Sequence, residues 1–291
     1  MIQFLFGIQE QLKSLFASFA TLVRIVFMSK KWVRLPRVHR QECVILGNGP
    51  SLNGSLEQYA ANLPNYDLVC VNNFALSQLY GKIRPNSYII AAREYWLPHV
   101  VESYQTIRLA TFESLINNTS WDMNLFIPFD ARTYKDFLDQ FKQNPHLRLH
   151  FYNLTPVEGT VRLRNWLFKL GMGIPRPHNV LIPSIMIALK QGYHAIYLLG
   201  ADHSWLPEIS VNERNEVLVH QKHFYDEQSS RPDRMYMAGQ RPRYLYEVLE
   251  KFCHTFKSYF VIKDYAQTIG ANIYNATPNS FIDAFERKNL P

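Results

Sequence analysis

The sequence predicts an α/β protein: a mostly parallel sheet with helices on both faces. Three observations lead there. Short apolar runs of strand length at residues 43–47, 67–73 and 195–200 alternate with longer stretches of helical periodicity. The runs are nearly continuous in apolar character, as strands buried on both faces must be. Each ends in small, amide or acidic residues, namely Gly47-Asn48, Asn72-Asn73 and Gly200-Ala201-Asp202. In open parallel sheets ligands sit beyond the carboxyl ends of the strands, so these ends, together with Ala92-Arg93 after the run at 87–92, are expected to converge on one crevice.

Residues 1–28 place Ile2, Leu5, Phe6, Leu12, Leu15, Phe16, Phe19, Leu22, Val23, Val26 and Phe27 at largely helical spacing. Gln9, Glu10, Gln11, Lys13 and Arg24 interrupt them, so no clean run of about 20 apolar residues is expected to span a bilayer. Residues 1–40 hold seven basic groups (Lys13, Arg24, Lys30, Lys31, Arg34, Arg37, Arg40) against Glu10 alone. The remaining 251 residues are almost balanced, with 24 basic and 23 acidic groups. The net charge of +7 therefore belongs to a leader, which speaks against a nucleic-acid-binding body. An amphipathic helix followed by a basic run fits a helix lying on an anionic membrane, with packing on the body or in a homo-oligomer contact as the alternative. The expected division is a basic membrane-associating leader over 1–40 and a single catalytic domain over 41–291.

The first strand runs into Asn48-Gly49-Pro50-Ser51, a sharp turn with Ser51 as helix N-cap. A strand, a glycine turn and a helix start together make a seat for phosphate. There is no GxGxxG and no GxxxxGK[ST], so the dinucleotide fingerprint and the P-loop are excluded and no cofactor is expected. Further strands are expected at 87–92, 106–112, 124–129, 147–152 and 258–262, and helices at 133–143, 156–171, 179–191, 242–256 and 277–288. Residues 206–243 are polar, rich in Pro and Arg and weakly periodic, which suggests a mobile lid. Cys43, Cys70 and Cys253 are scattered, which argues for buried thiols in a reducing compartment rather than disulfides or a zinc site.

The Ile45-Leu46-Gly47-Asn48-Gly49-Pro50-Ser51-Leu52 start is paired with Val71-Asn72-Asn73. Pro183-Ser184 opens a helix that leads through Gly192-Tyr193 into Leu198-Leu199-Gly200-Ala201-Asp202, and Pro278-Asn279-Ser280 follows near the end. Together these resemble the bacterial sialyltransferases of glycosyltransferase family 42 and the related motility-associated-factor glycosyltransferases. The likeness covers about residues 42–80 and 178–205, and is loose in the middle and the lid.

The resemblance implies a Rossmann-like sheet and an inverting, metal-independent transfer of a sialic-acid-type (nonulosonic or Kdo-like) sugar from a CMP donor. The acceptor is expected to be a cell-envelope glycan or glycolipid, at the cytoplasmic face of the bacterial inner membrane. Carried over, Gly47, Asn48, Gly49, Pro50 and Ser51 meet the donor phosphate and ribose, and Asn72 with Asn73 the sugar-phosphate. Pro183 and Ser184 lie at a helix start, and Gly200, Ala201 and Asp202 at the cytidine end, with Ser204 and Trp205 beyond. The base is His223, followed by Phe224, with His220 as runner-up. The family's phosphate-binding tyrosines are replaced here by His203-Ser204-Trp205, so His203 or a lid tyrosine, Tyr225 or Tyr236, takes that part. His suits base work near neutral pH, and a leaving phosphate needs hydrogen-bond donors around it. No Asp-x-Asp triplet occurs, in keeping with a metal-free route.

Two other readings stand beside this one. Asp202, His203, His220 and His223 form a ligand set for a metal-dependent hydrolase or phosphotransferase. Alternatively, the fold serves as an inactive scaffold in polysaccharide assembly.

Overall fold

The computed structural model describes residues 2–30, 33–38, 40–225 and 231–291, with residues 2–6 described by backbone alone. Lys31 of the basic run, the side chains of Ile2, Leu5 and Phe6, and residues 226–230 of the expected lid lie outside the described residues.

Helix α1 (Ile2–Met28) is followed by β1 (Glu42–Leu46), α2 (Leu52–Gln58), β2 (Asp67–Val71), α3 (Tyr80–Ile83) and β3 (Ser87–Ile89). Next come α4 (Glu102–Asn118), β4 (Met123–Pro128), α5 (Lys135–Phe141), β5 (Leu147–Tyr152), α6 (Val161–Leu170), α7 (Leu181–Gln191) and β6 (Ala195–Leu199). Among its described residues the expected lid contains five short strands: β7 (Ile209–Val211), β8 (Val217–Val219), β9 (Asp233–Arg234), β10 (Tyr236–Met237) and β11 (Arg241–Pro242). The long α8 (Leu245–Thr268), β12 (Asn272–Asn275) and β13 (Glu286–Arg287) close the chain.

The main sheet has eight strands in the order β13-β12-β6-β1-β2-β3-β4-β5, and every pairing in it is parallel. The chain steps outward from β1 to β5, then returns through α6 and α7 to lay β6 on the other side of β1. The strand order therefore reverses between β1 and β6, and a crevice opens at their carboxyl ends. Strand periodicity splits the core in two. Cys43 and Ile45 point into the layer built with α7 and α8, while Val44 and Leu46 point into the layer built with α2, α4 and α5. The α/β Rossmann-like class is as expected, with helices on both faces.

Several elements differ from expectation. Residues 106–112 belong to α4, because the buried positions Thr111, Phe112 and Leu115 form a helical stripe while Ile107 and Leu109 face solvent. Residues 258–262 belong to α8. Val248, Phe252, Thr255, Tyr259, Ile262 and Ala266 continue one stripe at three- and four-residue spacing straight through the β-prone Tyr-Phe-Val-Ile. Residues 277–288 form no helix. They follow β12 as a loop whose polar side chains are bonded to the sheet, and they end in β13. Instead of being featureless, the lid packs Val217, Val219 and Met235 against Val248 and Phe252 of α8. Of the cysteines, Cys43 and Cys70 are buried and Cys253 is exposed.

Residues Gly7–Met28 of α1 are long and apolar enough, by length and composition, to cross a membrane. This differs from the expectation, because the polar Gln9-Glu10-Gln11 group sits near the start of the helix and leaves only Lys13 and Arg24 charged beyond it. One side docks on the loop before α6: the Thr21 hydroxyl donates to the Glu158 carbonyl at 3.0 Å, and Arg24 donates to the Glu158 carboxylate at 3.0 Å. The other side exposes Phe16 (74%), Phe19 (69%) and Phe27 (83%).

Candidate active site at the carboxyl edge of the sheet

The floor of the site is the contact between the ends of β1 and β6. The Gly47 N–H donates to the Leu199 carbonyl and the Gly49 N–H to the Gly200 carbonyl, both at 2.8 Å. Side chains are excluded here. A Cβ on Gly47 would stand 2.4 Å from the Gly200 oxygen, and one on Gly49 would stand 1.9 Å from a carboxylate oxygen of Asp202. Gly200 itself adopts φ +63°, a conformation glycine takes at no steric cost.

Asp202 spans this junction. Its carboxylate accepts from the Ser51 N–H at 3.2 Å and from the Ser51 hydroxyl at 2.9 Å. Burial pushes the Asp202 carboxyl up, and the two Ser51 bonds work against that shift. The N-cap donors expected to receive a phosphate are thus occupied by a carboxylate of the protein itself. The tail buttresses the same turn. The Ser280 hydroxyl donates to the Ala201 carbonyl at 2.6 Å, the Thr277 hydroxyl accepts from the Ala201 N–H at 3.0 Å, and the Phe281 N–H donates to the Asp202 carbonyl at 2.8 Å.

Above the floor lies a cavity of about 670 Å³, the size of small-molecule and cofactor sites generally. Gly47, Asn48, Gly49, Pro50, Asn72, Asn73, Gly200, Asp202, His203, Ser204, Trp205, His220 and His223 all line it. Asn48 donates through Nδ2 to the Val71 carbonyl at 3.2 Å, which turns Oδ1 the other way; that buried oxygen has no partner among the described residues. An oxygen so placed is an acceptor for a hydroxyl or amine of a ligand. Asn72 holds φ +45°, is clamped by the Tyr88 hydroxyl donating to its carbonyl, and accepts from the Ala91 N–H at 3.4 Å. The Tyr95 hydroxyl donates to the Asn73 carboxamide oxygen.

The three histidines differ in kind. His203 is buried, bonded through Nε2 to the Tyr259 hydroxyl at 2.6 Å and packed on Trp205 with ring centroids 4.1 Å apart. Burial holds its imidazole down at about 3, which makes it a neutral framework residue unsuited to taking a proton near pH 7. His220 faces Glu208: its ring Nδ1 lies 3.5 Å from the carboxylate, and its backbone N–H donates to the Glu208 carbonyl at 3.1 Å. His223 stacks on Tyr225 with the rings 5.1 Å apart and within 5° of parallel. Its neighbour Phe224 is buried against Phe74, donates its N–H to the Asn48 carbonyl at 3.1 Å, and accepts from Asn53 at 2.9 Å.

Other expected residues lie elsewhere. Pro183 and Ser184 do not open a helix: α7 starts at Leu181, both are buried within it, and the Ser184 hydroxyl donates to the Val180 carbonyl at 2.8 Å. The cavity is met instead by residues 177–181, where Asn179 caps Leu181 through Oδ1 at 2.8 Å. Ala201 is buried beneath the floor, and Ser51 serves Asp202. Among the described residues no group of three His, Cys, Asp or Glu side chains is placed to hold a metal ion, so the metal-ligand set of Asp202, His203, His220 and His223 does not assemble.

Arg93 lines the cavity as expected of a strand end, but sequence reasoning missed the other basic groups on the walls: Arg108, Arg176, His178, Lys222, Arg243 and Lys251. Arg108 ties the loop after β3 through the carbonyls of Glu94 and Leu97, at 3.1 and 2.5 Å. The Arg176-Pro177-His178 and Arg241-Pro242-Arg243 triplets were visible signals, but nothing in their spacing says that they face one hollow.

Fold and site together define a doubly wound α/β protein with an open, polar crevice at its topological switch point. Among solved structures the chain is similar to a MAf glycosyltransferase from Magnetospirillum magneticum AMB-1, at a TM-score of 0.47 and 12% identity. The match covers 92% of this chain and 37% of that one, so the chain spans little over a third of that protein's length. No protein-family model matches the chain, and no curated protein matches it.

Proposed function

We propose that the chain is a glycosyltransferase that moves a sialic-acid-type sugar from a CMP donor to a glycan or glycolipid acceptor. The observation that carries this reading is the meeting of Asn48, Asn72 and Asp202 around one nucleotide-sized cavity, with His223 lining it next to Phe224, whose N–H donates to the Asn48 carbonyl. The motif resemblance described above supplies the donor class.

In this reading His223 takes the proton of the acceptor hydroxyl as that oxygen bonds to the anomeric carbon. The bond from that carbon to the phosphate oxygen breaks, and its electron pair leaves on CMP. Attack opposite the leaving group inverts the centre. Growing charge on the phosphate calls for fixed donors and cations, and the basic walls supply them without an assigned metal. Asn48 Oδ1 accepts from a donor hydroxyl or amine.

The leader places the site. Met28, the last residue of α1, lines the cavity, so a membrane holding the exposed face of α1 lies beside the mouth. In this reading the acceptor is lipid-linked, and the attachment is peripheral, at the cytoplasmic face of an inner membrane, as the motif resemblance implies.

Calorimetric titration with CMP, UDP, GDP and CDP tests the reading. Binding of CMP well above the others supports it. Binding of none, or a preference for a purine nucleotide, overturns it.

A further inference from the structure

Arg243 and Lys251 both line the cavity, and both are in contact with Met235. The backbone N–H of Arg243 donates to the Met235 carbonyl at 2.9 Å, and Lys251 Nζ lies 3.4 Å from the Met235 sulfur, a weak acceptor. Arg243 Nε is buried and has no partner among the described residues. The first carboxylate of α8 is spoken for: Glu247 accepts from Arg241 at 2.6 and 2.9 Å and from the Tyr244 N–H at 2.9 Å. Glu94 is the acidic group that acts on both cations across the cavity. His178 and Arg176 stand on the adjoining wall, with Arg176 already paired to Glu158 at 2.7 and 2.9 Å.

Such an arrangement is costly when empty. Burial, and then the neighbouring Arg243, brings Lys251 down to about 8; burial also lowers Arg243. His178 is held at about 4 by burial, then by His254, Lys251, Arg176 and Arg243. Like charges drawn together out of water are stabilised by an anion placed between them, and a guanidinium edge offers paired donors to an oxyanion.

We infer that Arg243 and Lys251 form an oxyanion subsite of the cavity that takes an acidic group of the substrate, a phosphate or a carboxylate. The inference deepens the glycosyltransferase reading and rests on it only for the substrate's identity. In that reading the group is the donor phosphate or the carboxylate of the acidic sugar.

The test titrates the full chain and its variants Lys251→Met, Lys251→Arg, Arg243→Met and Arg243→Lys with inorganic phosphate, N-acetylneuraminate and CMP. Thermal melts run alongside check folding. At least tenfold weaker phosphate binding in the two Met variants, restored by Lys251→Arg and Arg243→Lys, supports the subsite and assigns it to phosphate. The same pattern confined to N-acetylneuraminate assigns it to carboxylate. Either result stands even if CMP fails to bind, in which case only the nucleotide reading falls. If neither anion binds the unmodified chain, or if the Met variants bind both as tightly, the subsite is overturned. CMP binding that persists in the Met variants would then leave the nucleotide reading intact.

Discussion

The backbone N–H of Phe224 donates to the carbonyl of Asn48 across 3.1 Å, and that one bond joins the lid segment to the turn that ends β1. With Phe224 buried against Phe74 and tied to Asn53, the preceding residue, His223, is held at the cavity. His223→Ala is expected to abolish sugar transfer while CMP binding stays within about twofold. Phe224→Ala is expected to lower kcat and to destabilise the chain by about 3 kcal/mol, the usual cost of emptying a buried phenylalanine site. Turnover assays and denaturant melts read both, and undiminished turnover in His223→Ala removes that residue as the base.

Gly49→Ala places a Cβ 1.9 Å from Asp202 and 2.6 Å from the Gly200 carbonyl. The expected result is a loss of about 1–3 kcal/mol, in the range of overpacked sites, with nucleotide affinity falling as the β1 and β6 ends are forced apart. Gly54→Ala, with no atom within 4 Å of the new Cβ, is the control. Equal melting temperatures for the two variants would contradict the close approach.

Acid lability follows from His203. Its folded pKa, about 3, lies below the ordinary value of 6.5 because the ring is buried. Between those values the unfolded chain carries the proton and the native chain does not, so stability falls as pH drops through that window, by up to about 1.4 kcal/mol per pH unit. His178, held at about 4, adds to the slope from 6.5 downward. His203→Gln is expected to flatten the decline of stability between pH 6 and 4 relative to the parent, as measured by urea unfolding at each pH. A parallel slope would show that another group sets it.

Deleting the leader does not cleanly test membrane binding, because Thr21 and Arg24 bond to Glu158, which in turn holds Arg176 of the cavity wall. Phe16→Glu combined with Phe27→Glu leaves those contacts in place, since both side chains face solvent. The double variant is expected to lose flotation with anionic vesicles while hydrolysing donor at the parental rate. Retained flotation would turn attention to a protein partner for that face.

Much of the site was legible before any coordinates, because it is built from strand ends. A buried strand announces itself by four or five apolar residues, and its carboxyl end is simply what comes next; Gly47-Asn48, Asn72-Asn73 and Gly200-Asp202 were therefore placed at one edge. Ser184 was misplaced for a different reason. The periodicity over 179–191 already starts the helix ahead of Pro183, but the resemblance set Ser184 at a helix start, whereas in α7 it is buried in the first turn. The Tyr-Phe-Val-Ile of α8 read as a strand because β-branched and aromatic composition outweighs periodicity over a five-residue window, whereas the 24-residue stripe decides it.

The residues alone settled the alternation of strand and helix, the parallel sheet and the glycine junction, since local periodicity and steric allowance are properties of neighbouring positions. Only the folded chain decided which polar groups remain open to a ligand. Ser51 reads as a phosphate donor in sequence, yet Asp202, 151 positions away, occupies it, and nothing near Arg243 in sequence says that it lines the same cavity as Lys251. Hydrogen-bond partnership and burial depend on what the rest of the chain lays against a side chain, and no window of sequence contains that.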